Sequence, residues 1–102
     1  MSIYVYQTFE FKQDKFKDGI ENLKKMKDYR NEKYEHKVEI LAPISGPDHT
    51  YSLLATYDGL AEMEMQDKKM FDDEEFKKLI SEFFLEMIEQ GSMYTQILRS
   101  IK

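Results

Sequence analysis

Residues 3–11, with the sequence IYVYQTFEF, are the clearest β-strand in the chain. The stretch is rich in β-branched and aromatic residues and contains neither glycine nor proline, a composition typical of strands. Because side chains alternate between the two faces of a strand, bulky groups fall on both faces here. Ile3, Val5, Phe9 and Phe11 lie on one face, and Tyr4 and Tyr6 lie on the other. Both faces of this strand are therefore expected to be covered.

A helix is predicted after this strand. It opens at Gln13-Asp14, with Asp14 as the N-cap, and is expected to end between Tyr29 and Lys33. Apolar residues recur within it at three- and four-residue spacing, which places them along one side of the helix. These residues are Phe16, Ile20, Leu23 and Met26.

Two further strands are predicted to form a hairpin. Residues 37–44 alternate between apolar and polar side chains, with Val38, Ile40, Ala42 and Ile44 on one face. Pro43 cannot donate a ladder hydrogen bond, so this strand is expected at an edge of the sheet or with a bulge. The turn signal of residues 45–49 then leads into a strand over residues 50–57.

The last part of the chain predicts a second helical region and a final strand. Residues 60–71 are helical in composition, and residues 72–75 resemble a capping box that starts a new helix. Gly91 is placed to end that helix, and residues 93–101 alternate as a strand. The apolar stripe of the new helix contains Phe76, Leu79, Ile80, Phe83, Met87 and Ile88.

The element order β-α-β-β-α-β predicts one α+β domain over residues 1–102 with a ferredoxin-like fold. Right-handed crossovers then give a four-stranded antiparallel sheet of order 4-1-3-2 with the helices on one face. The second and fourth strands are its edges, which agrees with Pro43.

The second face of this sheet predicts a homodimer. Two helices cover only one face of four strands, and the uncovered face of a monomer is normally polar. Here the first strand presents Tyr4 and Tyr6 on its second face, and the last strand presents Tyr94 and Leu98. Such a patch is typical of an interface, and two-fold pairing of identical chains is the commonest assembly. The alternative is that the tyrosines are half-exposed on a hydrated face.

Composition excludes several classes of function. The formal net charge is -5, and the one basic run, residues 24–27, is bracketed by acids, so nucleic acid is not an expected partner. The absence of cysteine excludes disulfides and thiolate metal sites. No apolar run approaches the length of a membrane span, and no signal peptide is visible at the start, so a cytoplasmic location is the default expectation.

The opening residues 3–12 followed by Asp14-Lys15-Phe16, together with Tyr57-Asp58-Gly59-Leu60, resemble NIPSNAP-like domains. The pattern as a whole resembles the dimeric α/β-barrel superfamily, which also contains the antibiotic-biosynthesis-monooxygenase-like proteins. The resemblance implies two ferredoxin-like domains packed sheet against sheet. It also implies a range of activities that includes cofactor-free quinol monooxygenases, haem-degrading enzymes, lactone isomerases and dye-decolourising domains.

Metal and haem sites are not expected from the residues present. His36 and His49, the two histidines, flank or lie in turns, where a surface position is usual. The resemblance implies that haem-degrading relatives carry a histidine ligand on the second helical segment, and residues 60–90 contain none. The acids at residues 72–75 are explained by the dipole at a helix start rather than by metal binding.

The candidate ligand site is a pocket between the sheet and the second helical region, where tyrosines of the strands would approach a methionine-rich segment. Its residues are Tyr4, Tyr6, Tyr94, Met63 and Met70. Methionine can line an adaptable pocket, although it fills cores more often. Two functions stay open: a homodimer that binds a small hydrophobic or aromatic molecule without a cofactor, and a cofactor-independent monooxygenase or isomerase with a quinol-like substrate.

Overall fold

The computed structural model describes residues 1–46 and 50–101. A short 3₁₀ turn at Gln13–Lys15 precedes the first helix, and a π-helical turn at Phe83–Met87 follows the third. The strands and helices are β1 (Ile3–Glu10), α1 (Phe16–Lys33), β2 (Lys37–Leu41), β3 (Thr50–Tyr57), α2 (Leu60–Phe71), α3 (Glu74–Glu82) and β4 (Tyr94–Arg99).

The strands form one antiparallel sheet of order β2-β3-β1-β4, which confirms the predicted ferredoxin-like α+β fold. The register of the central strand shows which side chains share a face. Tyr4 lies opposite Thr56 on β3 and Leu98 on β4, so these three side chains share one face. The predicted division of β1 into two faces is therefore correct.

The core lies between the other face of the sheet and the helices. β1 contributes Ile3 and Phe9 to this core, and the helical side contributes Leu23 and Phe83. The Phe83 ring is completely buried, with its centroid 5.0 Å from that of Phe9. Periodic apolar positions in the strands and helices thus meet in one layer, as a two-layer α+β domain requires.

Both predicted helix starts are wrong by one or two residues. The 3₁₀ turn takes up Asp14, so α1 begins at Phe16, and no side chain caps it. The cap of α3 is Asp73 rather than Asp72, and its carboxylate accepts hydrogen bonds from the backbone N–H groups of Glu75 and Phe76. A run of consecutive acids predicts that a cap is present but does not show which acid forms it.

The predicted β2 is too long. The strand ends at Leu41, and both Ala42 and Ile44 are exposed beyond it. Pro43 explains the early end, because it cannot donate a ladder hydrogen bond. β2 is an edge strand, as predicted, and the Asn31 amide pairs with both the N–H and the C=O of Val38 on its outer side. Residues 47–49 of the predicted 45–49 turn, including His49, lie outside the described residues.

The chain returns to the sheet earlier than the sequence indicated. The helical stripe ends in the π-helical turn, after which Ile88 bridges to Phe11. Gly91 therefore does not end a helix. It occupies a left-handed conformation, with φ 79°, in the turn before β4. β4 itself spans Tyr94–Arg99, inside the predicted range.

Candidate functional site

The open face of the sheet carries a row of apolar and aromatic side chains. Tyr4, Tyr6 and Leu54 are half-buried there, and the Tyr6 hydroxyl is hydrogen bonded to Ser52 Oγ at 3.2 Å. Tyr94 is 68% exposed and Leu98 is 48% exposed on the neighbouring edge strand. No described helix covers this face, so these side chains are available to a partner.

The predicted site residues do not come together. Tyr4, Tyr6 and Tyr94 lie on the open face, whereas Met63 of α2 packs against the core on the helical side. Met70, also on α2, lines a groove between α2 and α3. The prediction that Tyr6 and Tyr94 approach Met63 and Met70 is wrong, because strand alternation places the two groups on opposite sides of the sheet.

A buried polar cluster lies beneath α2. Arg30 is 7% exposed, and its guanidinium donates through Nε to His36 Nε2 at 3.0 Å and through Nη2 to the Tyr57 hydroxyl at 3.1 Å. The His36 ring stacks on Tyr57 with centroids 4.6 Å apart. These three residues come from α1, the loop before β2, and β3.

His36 is neutral in this cluster. Burial lowers its pKa to about 4, and the positive charge of Arg30 adds to this effect, while the nearby Gln66 side chain opposes it. Because His36 Nε2 accepts from Arg30, the ring proton must be on Nδ1. The expectation of a surface position for His36 is wrong. A signal for the cluster was present in the sequence, since Arg30 continues the spacing of Leu23 and Met26 on the buried side of α1.

The Gln66 side chain of α2 lies next to His36 and belongs to the same cluster. Of the twelve residues of α2, only Gln66 is buried, and it is fully buried. Neither atom of its amide has a hydrogen-bond partner in the described part of the chain, and neither does His36 Nδ1. The amide therefore influences the His36 pKa by proximity without forming a hydrogen bond of acceptable geometry. Buried polar groups without partners are rare and need an explanation.

Asp67, the next residue of α2, links this cluster to the groove. Although the residue is exposed overall, desolvation raises the pKa of its carboxyl, and both Arg30 and Tyr57 oppose that rise. The groove has a volume of about 400 Å³. It is lined by Asp67, Met70, Phe71, Phe76, Lys77, Ile80 and Ser81.

The Phe76 ring borders both the groove and the cluster. It lines the groove, and the Arg30 guanidinium carbon lies 6.0 Å from its centroid. An apolar groove with a few polar groups and a perturbed carboxyl has the composition of a small-molecule site. Met70, which the sequence placed in a different pocket against the sheet, lines this groove, whereas Asp67 and Phe76 were not among the predicted site residues.

The residues that the structure describes meet neither the requirements of a metal site nor those of a membrane-spanning helix. No group of three or more histidine, aspartate or glutamate side chains in residues 1–46 and 50–101 is arranged to hold a metal ion. None of the helices in those residues has the length and apolar character needed to cross a membrane.

Comparison with known proteins identifies the fold. No protein-family model and no curated protein matches the sequence. Solved structures do match. A NIPSNAP family protein from Agrobacterium tumefaciens is 12% identical, with 99% of this chain and 94% of that chain covered and a TM-score of 0.78. An uncharacterized NIPSNAP domain protein from Burkholderia xenovorans is 10% identical, with 97% and 94% covered and a TM-score of 0.76. The chain has the fold of these proteins.

An antibiotic biosynthesis monooxygenase has the same fold. It is 6% identical to this chain, with 98% of this chain and 99% of that chain covered and a TM-score of 0.77. Because identities this low are shared by proteins with unrelated activities, the comparison establishes architecture and leaves function to the site. The expectation drawn from residues 3–16 and 57–60 is confirmed for the fold.

Proposed function

We propose that this chain is a homodimeric binding domain that holds a small hydrophobic or aromatic molecule, without metal or haem, in the groove between α2 and α3. The observation that carries the proposal is the groove itself. Its walls are the apolar side chains of Met70, Phe71, Phe76 and Ile80, and Asp67 supplies a polar group at the cluster side. A few polar groups within an apolar wall give orientation as well as affinity.

The homodimer is supported by the open face. Side chains from three strands, including Tyr4, Leu54 and Leu98, form an uncovered surface in which large apolar groups alternate with polar ones, on a sheet whose other face is already packed. A second copy with the same surface would remove it from water, since a two-fold interface pairs one patch with itself. The resemblance to dimeric α/β-barrel proteins implies the same arrangement. In this arrangement Tyr4, Tyr6 and Tyr94 lie in the dimer interface, and Met70 lines the ligand groove.

The groove is tested by titrating isotope-labelled protein with 2-naphthol, a neutral aromatic of suitable size. We expect chemical shifts to change for the methyl groups of Met70 and Ile80. Met70→Glu should abolish these changes, because it places a charge in the apolar wall. Met65→Glu is the matched control, since Met65 is an exposed methionine of the same helix that does not line the groove.

Shift changes confined to Tyr4 and Leu98, or equal titrations for both glutamate variants, would contradict binding in the groove. The first result would move the ligand to the open face of the sheet.

A second candidate function is a cofactor-independent monooxygenase or isomerase that acts on a quinol-like substrate. The Asp67 carboxyl favours it, because a raised pKa at the edge of an apolar groove suits a proton acceptor. Oxygen uptake with a reduced naphthoquinol distinguishes the two functions. Turnover above the uncatalysed rate that is lost in Asp67→Asn would replace the binding role with the enzymatic one.

A further inference from the structure

We propose that the molecule bound in the α2–α3 groove carries a carboxylate and that the buried Arg30 guanidinium recognises it. This inference rests on the proposed function and names the chemical class of its ligand. It predicts small aromatic or aliphatic acids rather than neutral hydrocarbons as the preferred ligands.

The first support is the charge of Arg30. The guanidinium is buried, yet it forms no ion pair with an Asp or Glu side chain in the described part of the chain; its hydrogen bonds go to the neutral groups of His36 and Tyr57. A cation removed from water is costly unless an opposite charge compensates for it. The exposed Asp67 carboxylate acts on Arg30 electrostatically but forms no direct ion pair with it, so N–H groups of the guanidinium stay free for a second acid.

The second support is a set of buried polar atoms near Arg30 that have no hydrogen-bond partner in residues 1–46 and 50–101. Two of them are donors, the His36 Nδ1–H and the Gln66 amide nitrogen, and the third is an acceptor, the Gln66 amide oxygen. The guanidinium itself has five N–H groups, of which two are used in the bonds to His36 and Tyr57. A carboxylate is the complementary group, because it only accepts hydrogen bonds and matches the planar fork of an arginine.

The third support is the connection between the cluster and the groove. Phe76 contacts Arg30 and lines the groove, and Asp67 lines the groove and interacts electrostatically with Arg30. A ligand whose apolar part lies against Met70 and Phe76 would therefore point its acidic end toward Arg30. The exposed Asp67 carboxylate would compete with that end for the same positive charge.

The test compares two ligands of nearly equal shape by isothermal titration calorimetry at neutral pH. 2-Naphthoate carries the carboxylate and 2-naphthamide is its neutral counterpart. We expect the acid to bind roughly tenfold or more tightly, because hydrogen bonds to charged groups are stronger than neutral ones. This comparison uses the wild-type chain, so it does not depend on whether any variant folds.

Two substitutions extend the test. Asp67→Asn should tighten binding of 2-naphthoate by removing the competing charge, whereas Asp72→Asn, at an exposed acid that does not line the groove, should leave it unchanged. Arg30→Gln should remove the preference for the acid over the amide. Equal affinity for the two ligands would overturn the carboxylate assignment and leave the groove intact as a site. Failure of both ligands to bind would overturn the assignment together with the proposed function.

Discussion

At the residue scale, Phe83 is one of the largest side chains in the core. It is fully buried, and its ring packs edge-on against both Phe9 and Phe11, with centroid distances of 5.0 and 6.2 Å. It lies in the π-helical turn after α3, so the core contact continues beyond the regular helix. The sequence had already placed this residue in the buried stripe.

Phe83→Ala should lower the free energy of unfolding by about 3–5 kcal/mol, because it removes a buried ring and leaves a cavity among packed aromatic side chains. Urea denaturation monitored by circular dichroism measures the change. Phe71→Ala is the matched control, since that ring is 75% exposed, and its cost should stay within about half a kcal/mol. Similar midpoints for the two variants would show that the Phe83 ring does not belong to the core.

At the scale of elements, Asp73 joins α1 to α3. Its carboxylate caps the start of α3, and it accepts hydrogen bonds from the hydroxyls of Tyr29 at 2.6 Å and Tyr34 at 2.5 Å. Tyr29 belongs to α1 and Tyr34 follows its last residue. The hydrogen bonds from Tyr29 and Tyr34 are the main causes that lower the pKa of Asp73 to about 2.

This pKa predicts how stability depends on pH. The folded-state pKa lies below the unfolded value, so the contribution of Asp73 is fully present above pH of about 4 and is lost as the pH falls toward 2. Asp73→Asn should therefore destabilise the protein at pH 6, and the difference from wild type should shrink steadily between pH 4 and pH 2. Thermal denaturation over this range measures it.

The neighbouring exposed acid provides the control for that experiment, because Asp72→Asn removes a charge without touching the cap. A difference between wild type and Asp73→Asn that stays constant from pH 6 to pH 2 would show that the carboxylate charge does not contribute to joining the two helices.

At the scale of the whole molecule, the open face predicts the oligomeric state. Light scattering should give about twice the chain mass of 12.3 kDa, as expected for a two-fold dimer. Leu98→Glu should produce a monomer, because it buries a charge within the proposed interface. Ile97→Glu is the matched control: Ile97 is the next residue of β4, similarly exposed, and its side chain lies on the helical face.

A monomeric wild-type protein at tens of micromolar would rule out the dimer and would mean that Tyr4 and Tyr94 are exposed to solvent. Equal dissociation of both glutamate variants would instead place the interface at the edge of β4 rather than on the open face.

The sequence by itself determined the class of fold and the two faces of the sheet. Both follow from periodicity, which is a local property: alternation assigned Tyr4 and Tyr6 to the face opposite Ile3, and helical spacing assigned Phe83 to the core. The ends of elements were less predictable. The sequence predicted Asp14 and Asp72 as the caps of α1 and α3, but Asp14 lies in a 3₁₀ turn and Asp73 caps α3. These positions depend on turn geometry that packing sets, and the order of residues alone does not specify it.

Only the tertiary structure decided the functional site. Arg30, His36, Tyr57 and Gln66 come from four separate parts of the chain, and of these only Arg30 had a sequence signal for burial, its spacing from Leu23 and Met26. A polar side chain is buried where distant partners or a ligand compensate for its lost hydration, so its position depends on long-range contacts rather than on local pattern. Long-range packing also explains why Met70 does not lie near Tyr6 and Tyr94. Periodicity assigns each residue to one side of its own element, and only the packed sheet shows that those sides face away from each other.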